Sequence, residues 1–280
     1  MPSAPEDLDA LARSLLANGP VKTLPAAPKR VRIRLGGRFV ADTTRALYVW
    51  EHEHYPAYYV PASSFADGAL TYTDPDPDPA DPASGSRRGY SLGAVRAPGL
   101  GGPSTDRVIV FGDASAVAAA GAGKAGVLAG LVRVAFSAAE WFEEDVRVRV
   151  HPKDPFRRVD VLLSSRPVRV LVSGVEVAAA AGCFQLYETG LPVRFYLPAT
   201  AVRGELLRAS DTVSACPYKG SAHYFDVVLP GGARFADLVW CYSDPVVECA
   251  AIAGLLCFYN EKVDVELDGE VLGRPSTVFS

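Results

Sequence analysis

The stretch CPYKGSAHY, residues 216–224, carries a thiol, an amine, an imidazole and two phenols. A cysteine nucleophile needs a lowered pKa or a nearby base, which Lys219 and His223 would have to provide. No glycine-rich oxyanion segment and no third triad member accompanies Cys216 in the sequence. We therefore expect Cys216 to be a small buried residue before a turn, and the charge of Lys219 to be the group that meets an acid or a ligand anion.

A carboxylate further upstream extends this set. At period two, Glu188, Arg194 and Tyr196 share one face if the strand resumes in register after Pro192. With Tyr224 and Lys219 they would form a polar cluster at one end of an apolar pocket, as small-molecule sites do. Two interpretations stay open: Glu188 is a general acid or base, or it forms a structural ion pair with Lys219.

The expected catalytic groups are Glu188, Lys219 and Tyr224. The residues expected to contact a ligand are Arg194, Tyr196, Cys216, His223, Trp240, Tyr242, Glu51, His52 and His54.

The segment WEHEHYP suggests a metal site, because His52 and His54 would share a strand face. Two ligands do not close a site, and no third histidine or carboxylate is aligned with them. We expect no metal and no cofactor, and favour exposed polarity on an edge strand. A catalytic role beside Glu51 stays open.

The chain repeats itself. Residues 31–61 align with 168–198 at a constant offset of 137 positions, the separation of Gly37 from Gly174. Later, residues 125–136 resemble 249–259 at an offset of 124. The first copy therefore holds extra residues, and we assign them to a solvated loop, DPDPDPADPASGS, because Asp-Pro repeats are incompatible with a central strand.

Each copy is predicted to be mainly β. VRIRL and VRVLV alternate in polarity, and Gly-Gly and Ser-Gly follow them as hairpin turns. Asp7 or Asp9 is expected to cap a short N-terminal helix, and a second helix is expected to start at Asp244 with Pro245 in its first turn.

The predicted organisation has five parts: an N-terminal extension (1–29), a first β-domain (30–140), a bridge (141–167), a second β-domain (168–270) and a tail (271–280).

Composition limits the class of function. The net charge of -4 provides no basic surface for nucleic acid. No apolar run is long enough to span a membrane, and the N-terminus lacks the layout of a secretory signal. The five cysteines form no C-x-x-C pair, which favours reduced thiols in the cytoplasm. Oligomeric state cannot be inferred from these data.

The second half resembles the tandem proteins of the domain of unknown function 427. The matching segments are Glu188, FYLP at 195–198, CPYKGSAHY, WCYSDP at 240–245 and GLLCFYNEKVDVELDG at 254–269. The first copy departs from the pattern, since SRRGYSLG at 86–93 stands where the Cys-Pro-x-Lys-Gly loop is expected. The resemblance places any family site in the second copy.

This resemblance implies two related compact β-domains of Mss4-like or β-tent-like topology with short helices, without the zinc cysteines of metal-binding relatives. It implies no activity. We expect a protein that binds a small organic molecule in the second domain or between the domains, as a metal-independent lyase, isomerase or cyclase. The alternatives are a non-catalytic binding or interaction module and a Cys216-dependent hydrolase or transferase.

Overall fold

A computed structural model describes residues 6–72, 89–99, 101–121 and 123–277. The chain divides into two compact units, Met1–Pro152 and Lys153–Ser280. The boundary falls inside the segment predicted as a bridge, and that segment contributes strands to both units. The Asp-Pro loop at 74–86 and residues 86–88 of SRRGYSLG lie outside the described residues.

Short strands make up most of the first unit. They are β1 (Lys22–Pro25), β2 (Val31–Leu35), β3 (Arg38–Thr43), β4 (Leu47–Trp50), β5 (Ala57–Pro61), β6 (Leu70–Tyr72), β7 (Tyr90–Arg96), β8 (Ser104–Phe111), β9 (Leu131–Val134), β10 (Glu140–Glu143) and β11 (Val146–Val148).

The second unit continues in the same way. Its strands are β12 (Val159–Ser164), β13 (Val168–Val172), β14 (Val175–Ala180), β15 (Cys183–Glu188), β16 (Arg194–Leu197), β17 (Leu207–Cys216), β18 (Gly220–Val228), β19 (Arg234–Pro245), β20 (Leu256–Phe258), β21 (Asp264–Leu267) and β22 (Glu270–Val271).

The two units have the same antiparallel topology within the described residues. The larger sheets have the orders β1-β4-β5-β9-β8-β7-β6 and β12-β15-β16-β20-β19-β18-β17. The smaller sheets have the orders β3-β2-β10-β11 and β14-β13-β21-β22. Each strand of one unit thus has a counterpart in the other, which confirms the mainly β fold predicted from the repeat.

Register agrees with the repeat residue by residue. Tyr59 on β5 lies opposite Arg133 on β9, and Tyr196 on β16 lies opposite Cys257 on β20. These two pairs reproduce the offsets of 137 and 124 found in the sequence. The structure therefore matches Arg133 of the first unit with Cys257 of the second.

Each larger sheet has two buried faces. Its inner face packs against the smaller sheet; in the second unit Val170, Val239 and Val265 belong to this core. Its outer face points the other way and, in that unit, includes Tyr196 and Trp240. Alternation along the strands separates the two sets of side chains.

Helices are few and short. They are α1 (Leu8–Asn18) and α2 (Ala114–Ala120), and the 3-10 helices are Ala62–Ser64, Gly123–Leu128, Phe136–Ala138, Ala199–Ala201, Gly204–Leu206 and Val247–Ile252. Asp7 caps α1 by accepting from the amide of Ala10 at 3.0 Å, as predicted. None of the helices formed by the described residues is long and apolar enough to cross a membrane.

The helix predicted to begin at Asp244 is wrong in start and type. β19 continues through Pro245, which lies opposite Gly220, and Val246 is still extended. Because proline is tolerated at a strand end, it does not force the turn here. A 3-10 helix, Val247–Ile252, follows.

The β13–β14 hairpin tests how much the turn chemistry contributes. Ser173 and Gly174 both have positive φ, 47° and 79°, and a Cβ on Gly174 would meet nothing within 4 Å. Gly174→Ala should therefore lower the free energy of unfolding by about 1–2 kcal/mol through backbone strain alone. Urea unfolding measures this. Gly204→Ala is the control, since its site is equally open but no positive φ occurs there; equal losses for both variants would contradict the explanation.

Candidate functional site

The outer face of the second unit collects most of the predicted site. Arg194 and Tyr196 on β16 lie opposite Leu186 and Phe184 on β15, and Glu188 continues the same alternation. The expectation that Glu188, Arg194 and Tyr196 share a face is confirmed. They do so across a hairpin, because β15 ends at Glu188 and β16, which begins at Arg194, runs antiparallel to it. The single strand expected to resume after Pro192 is therefore wrong.

Glu188 and Lys219 form a buried ion pair. Their side chains are only 8% and 12% exposed. Lys219 sits in the turn between β17 and β18, where its carbonyl accepts from the amide of Val246 at 3.0 Å. Burial alone would lower the pKa of Lys219, but the nearby Cys216 thiol and the Glu188 carboxylate outweigh it and raise the pKa. Lys219 is thus held as a cation, not as a base.

Arg194 is neutralised separately. It makes a bidentate pair with Glu261 at 2.6 and 2.7 Å and also donates to Asn260. Its guanidinium lies 5.5 Å from the ring centre of Trp240 and 5.8 Å from that of Tyr259. This is a packed cation–π arrangement with no free charge.

Glu261 is fixed by two donors. Besides Arg194, the Thr277 hydroxyl donates to it at 2.7 Å. Burial tends to raise the pKa of Glu261, but the hydrogen bonds from Arg194 and Thr277 prevail and lower it to about 2. This carboxylate stays ionised at any physiological pH.

An aromatic layer fills the space between the two ion pairs. Trp240 donates to the hydroxyl of Tyr196 at 3.2 Å, and both side chains are buried. Burial raises the pKa of Tyr196 and of Tyr242 well above the ordinary value. These phenols are therefore neutral packing groups.

The accessible part of the outer face is a pair of hydroxyls. Tyr224 and Ser214 share a hydrogen bond of 2.8 Å; Ser214 is exposed and Tyr224 half-buried. Tyr259 is next to them, and burial together with its hydrogen bond to Tyr224 raises its pKa. Of the three predicted catalytic groups, Tyr224 is the one that can reach a ligand by its hydroxyl.

Two of the thiols, those of Cys216 and Cys249, lie near the turn that holds Lys219. Cys216 is half-buried, and Cys249 donates its thiol to the carbonyl of Tyr218 at 3.4 Å. Burial raises the pKa of Cys249 to about 11. His223, predicted to join this site, is exposed on the opposite face of β18 from Tyr224, because side chains alternate along the strand. His223 therefore does not lie with Tyr224, and its role in ligand binding stays a prediction.

In the first unit, different residues neutralise the buried glutamate. Glu51, the counterpart of Glu188, accepts from Arg133 at 2.8 Å and from the Tyr59 hydroxyl at 3.0 Å. Arg133 also pairs with Glu6, just before α1, at 2.6 Å. Since Cys257 stands at the position of Arg133 in the second unit, Glu188 takes its cation from the β17–β18 turn instead.

Helix α1 covers the outer face of the first unit. Leu8, Leu15 and Leu16 are buried in one cluster with Tyr59 and Phe111. This face is closed by the chain's own N-terminal segment, so the part predicted as an N-terminal extension belongs to the first unit.

His52 and His54 do not share a strand face, contrary to prediction. β4 ends at Trp50, and residues 51–54 form bends before Pro56, which lacks an amide to donate. The two rings are 5.4 Å apart, and His52 also contacts Tyr55. Within the described ranges no group of three His, Cys, Asp or Glu side chains is arranged to hold a metal.

A small cavity opens beside the Arg194 cluster. It measures about 120 Å³ and is lined by Pro192, Val193, Asn260, Val265, Leu272, Gly273 and Pro275. Pockets for drug-sized ligands are roughly 300–1,000 Å³. This cavity can hold only a group of a few atoms.

Several residues of this face were not singled out from the sequence. Glu261 and Asn260 follow the CFY motif directly, and a buried arginine needs an acid partner, which was the available signal. Ser214 and Tyr259 gave no such signal, because their roles depend on pairing between strands distant in sequence.

The two matching units, each with a buried and neutralised glutamate on its outer face, define a tandem protein built from one type of β-domain. A profile of one family matches residues 23–86 and 160–269, together more than half of the chain. The chain belongs to that family, the domain of unknown function DUF427. The first match stops at residue 86, where the degenerate loop begins. No curated protein matches the sequence.

Breaking the buried pair should be costly. Lys219→Met or Glu188→Gln each leaves a buried group unpaired, and we expect each to lower the free energy of unfolding by about 3–5 kcal/mol. The double variant should lose clearly less than the sum. Urea unfolding of the two single variants and the double variant gives the coupling free energy between Glu188 and Lys219.

The exposed pair of Arg203 and Glu205 is the matched control. Their side chains are 45% and 62% exposed, so Arg203→Met should cost about 0–1 kcal/mol. Additive losses at Glu188 and Lys219 would contradict the ion pair.

Acid should weaken the second unit through Glu261. Its pKa is lower in the folded state (about 2) than its ordinary value of 4.5, so its contribution is complete above pH 4.5 and disappears as pH falls toward 2. The contribution is up to about 3 kcal/mol. Unfolding free energies measured down this range should fall less steeply for Glu261→Gln than for wild type. Glu270→Gln, at an exposed site, should keep the wild-type slope; identical slopes for all three proteins would refute this role.

Proposed function

We propose that this chain is a non-catalytic binding protein that holds a neutral, flat organic molecule against the outer face of its second unit. The observation that carries the proposal is the comparison of the two glutamates. Glu51 and Glu188 are neutralised by cations from different strands, Arg133 and Lys219. Both units therefore neutralise a buried glutamate, but they differ in which residue supplies the cation and in where that residue lies.

The chemistry of the face supports a neutral ligand. The two buried cations, Lys219 and Arg194, are already paired with buried carboxylates. An anionic ligand that bound to either of them would have to displace one of these carboxylates, at a high desolvation cost. The accessible groups are phenol rings and hydroxyls, of Tyr224, Tyr259 and Ser214, which suit stacking and one or two hydrogen bonds.

Acid–base catalysis is the second candidate, and the hydroxyl pair of Tyr224 and Ser214 is what favours it. A half-buried phenol hydrogen-bonded to a hydroxyl can relay a proton to a bound molecule. Lys219 would then act as a fixed cation, with Glu188 holding it in place, in a lyase, isomerase or cyclase step. The free cysteines are consistent with a cytoplasmic setting for either candidate.

A thermal-shift screen tests the proposal. Neutral aromatic compounds should raise the melting temperature of the protein, and anionic analogues should not, because a ligand stabilises the state it binds. Tyr224→Phe keeps the ring and removes the hydroxyl, so we expect about tenfold weaker binding of any hit.

Leu92→Ala is the matched control. Leu92 on β7 is the counterpart of Tyr224 on β18, because it lies opposite Ile109 on β8 as Tyr224 lies opposite Trp240 on β19. Its side chain is 46% exposed. Binding that Leu92→Ala weakens and Tyr224→Phe does not would place the site in the first unit and contradict the proposal. Turnover of a hit that Glu188→Gln abolishes in a folded protein would favour the enzyme instead.

A further inference from the structure

One edge of the larger sheet differs sharply between the two units. In the first unit this edge is β1, which reads Lys22-Thr23-Leu24-Pro25. A lysine and a proline on an edge strand are common devices that prevent another strand from pairing there. In the second unit the same edge is β12, which reads Val159-Asp160-Val161-Leu162-Leu163-Ser164 and contains neither.

Strand β12 is regular and accessible. All six residues pair with β15 in unbroken register, and in the described part of the chain no strand pairs with its other side. Leu162 and Leu163 are 55% and 75% exposed, although they are large and apolar. Because neighbours along a strand point to opposite faces, each face of this edge carries one exposed leucine.

The opposite edge of the same sheet lacks these properties. β17 is long, but its register with β18 shifts between Ala209 and Val213, which bends the edge. Asp211 adds an exposed charge within the irregular part. Irregularity and charge both hinder pairing with another strand.

We propose that β12 pairs antiparallel with β12 of a second copy of this chain, so that the two larger sheets join across a twofold axis. Leu163 lies on the axis, opposite Leu163 of the other copy. Charge complementarity selects this register, because Asp160 of each copy comes opposite Arg166 of the other copy, which lies in the bend two residues beyond the end of β12. Placing the axis at Leu162 would instead oppose Arg158 and Arg166, two like charges.

Both charged groups make ion pairs within the chain that they can exchange for this contact. Asp160 pairs with Arg158, which is 80% exposed, and Arg166 reaches Asp268 only at 3.7 Å. Exposed pairs of this kind contribute little within one chain and exchange partners easily. The dimer is thus held by backbone hydrogen bonds and leucine packing, and its register is set by the two charge pairs.

Light scattering coupled to size exclusion, from about 1 to about 100 µM protein, tests the proposal. Wild type should become dimeric with increasing concentration, and Leu163→Lys should weaken dimerisation at least about tenfold. Val213→Lys, at a 59% exposed site on the opposite edge, is the control and should dimerise as wild type does. Circular dichroism should show all three folded.

Charge reversal tests the register without touching the leucines. Asp160→Arg and Arg166→Asp should each weaken the dimer, and the double variant should restore it. A wild type that stays monomeric throughout would overturn the proposal. So would a dimer that Leu163→Lys leaves intact, or one that Val213→Lys weakens equally. Failure of the double variant to restore dimerisation would overturn the register.

Discussion

A buried glutamate at the end of one strand constrains the outer face of each unit. Glu51 follows β4 and Glu188 ends β15, at matching places in the two sheets. A carboxylate removed from water must be paired, so each unit has to bring a cation to this point. The first unit brings Arg133 from the sheet itself, and the second brings Lys219 from a turn. The loss of the lysine loop in the first copy is therefore compensated electrostatically.

The outer faces of the two units are covered differently. In the first unit, α1 packs on the sheet and Glu6 joins the Arg133 cluster, so the face is part of the interior. In the second unit, the side chains of Tyr196, Trp240 and Tyr242 are buried together on the outer face. The hydroxyls of Tyr224 and Ser214 remain within reach of solvent. One type of β-domain thus occurs as a copy whose outer face is covered by α1 and as a copy with accessible hydroxyls.

The sequence predicted the repeat, the hairpins and the shared face of Glu188, Arg194 and Tyr196, because alternation and glycine turns are local properties. It also offered the Glu188–Lys219 pair as one of two interpretations. It did not predict the partner of Arg194, since β16 and Glu261 are joined only by tertiary folding. The expected shared face of His52 and His54 is wrong because β4 ends earlier than the alternation of WEHEHYP suggested. The sequence did not place His223 on the face opposite to Tyr224, because the residue types in one loop do not reveal which face each side chain occupies.

The protonation of Lys219 tests the central claim most directly. Lysine side-chain NMR over a pH titration, with the resonance assigned by its absence in Lys219→Met, reports the pKa of this amine in the folded protein. We expect Lys219 to remain charged through neutral pH and to titrate above ordinary lysines, as a cation that neutralises Glu188. A pKa near neutrality would contradict it, because Lys219 would then be a base poised for catalysis.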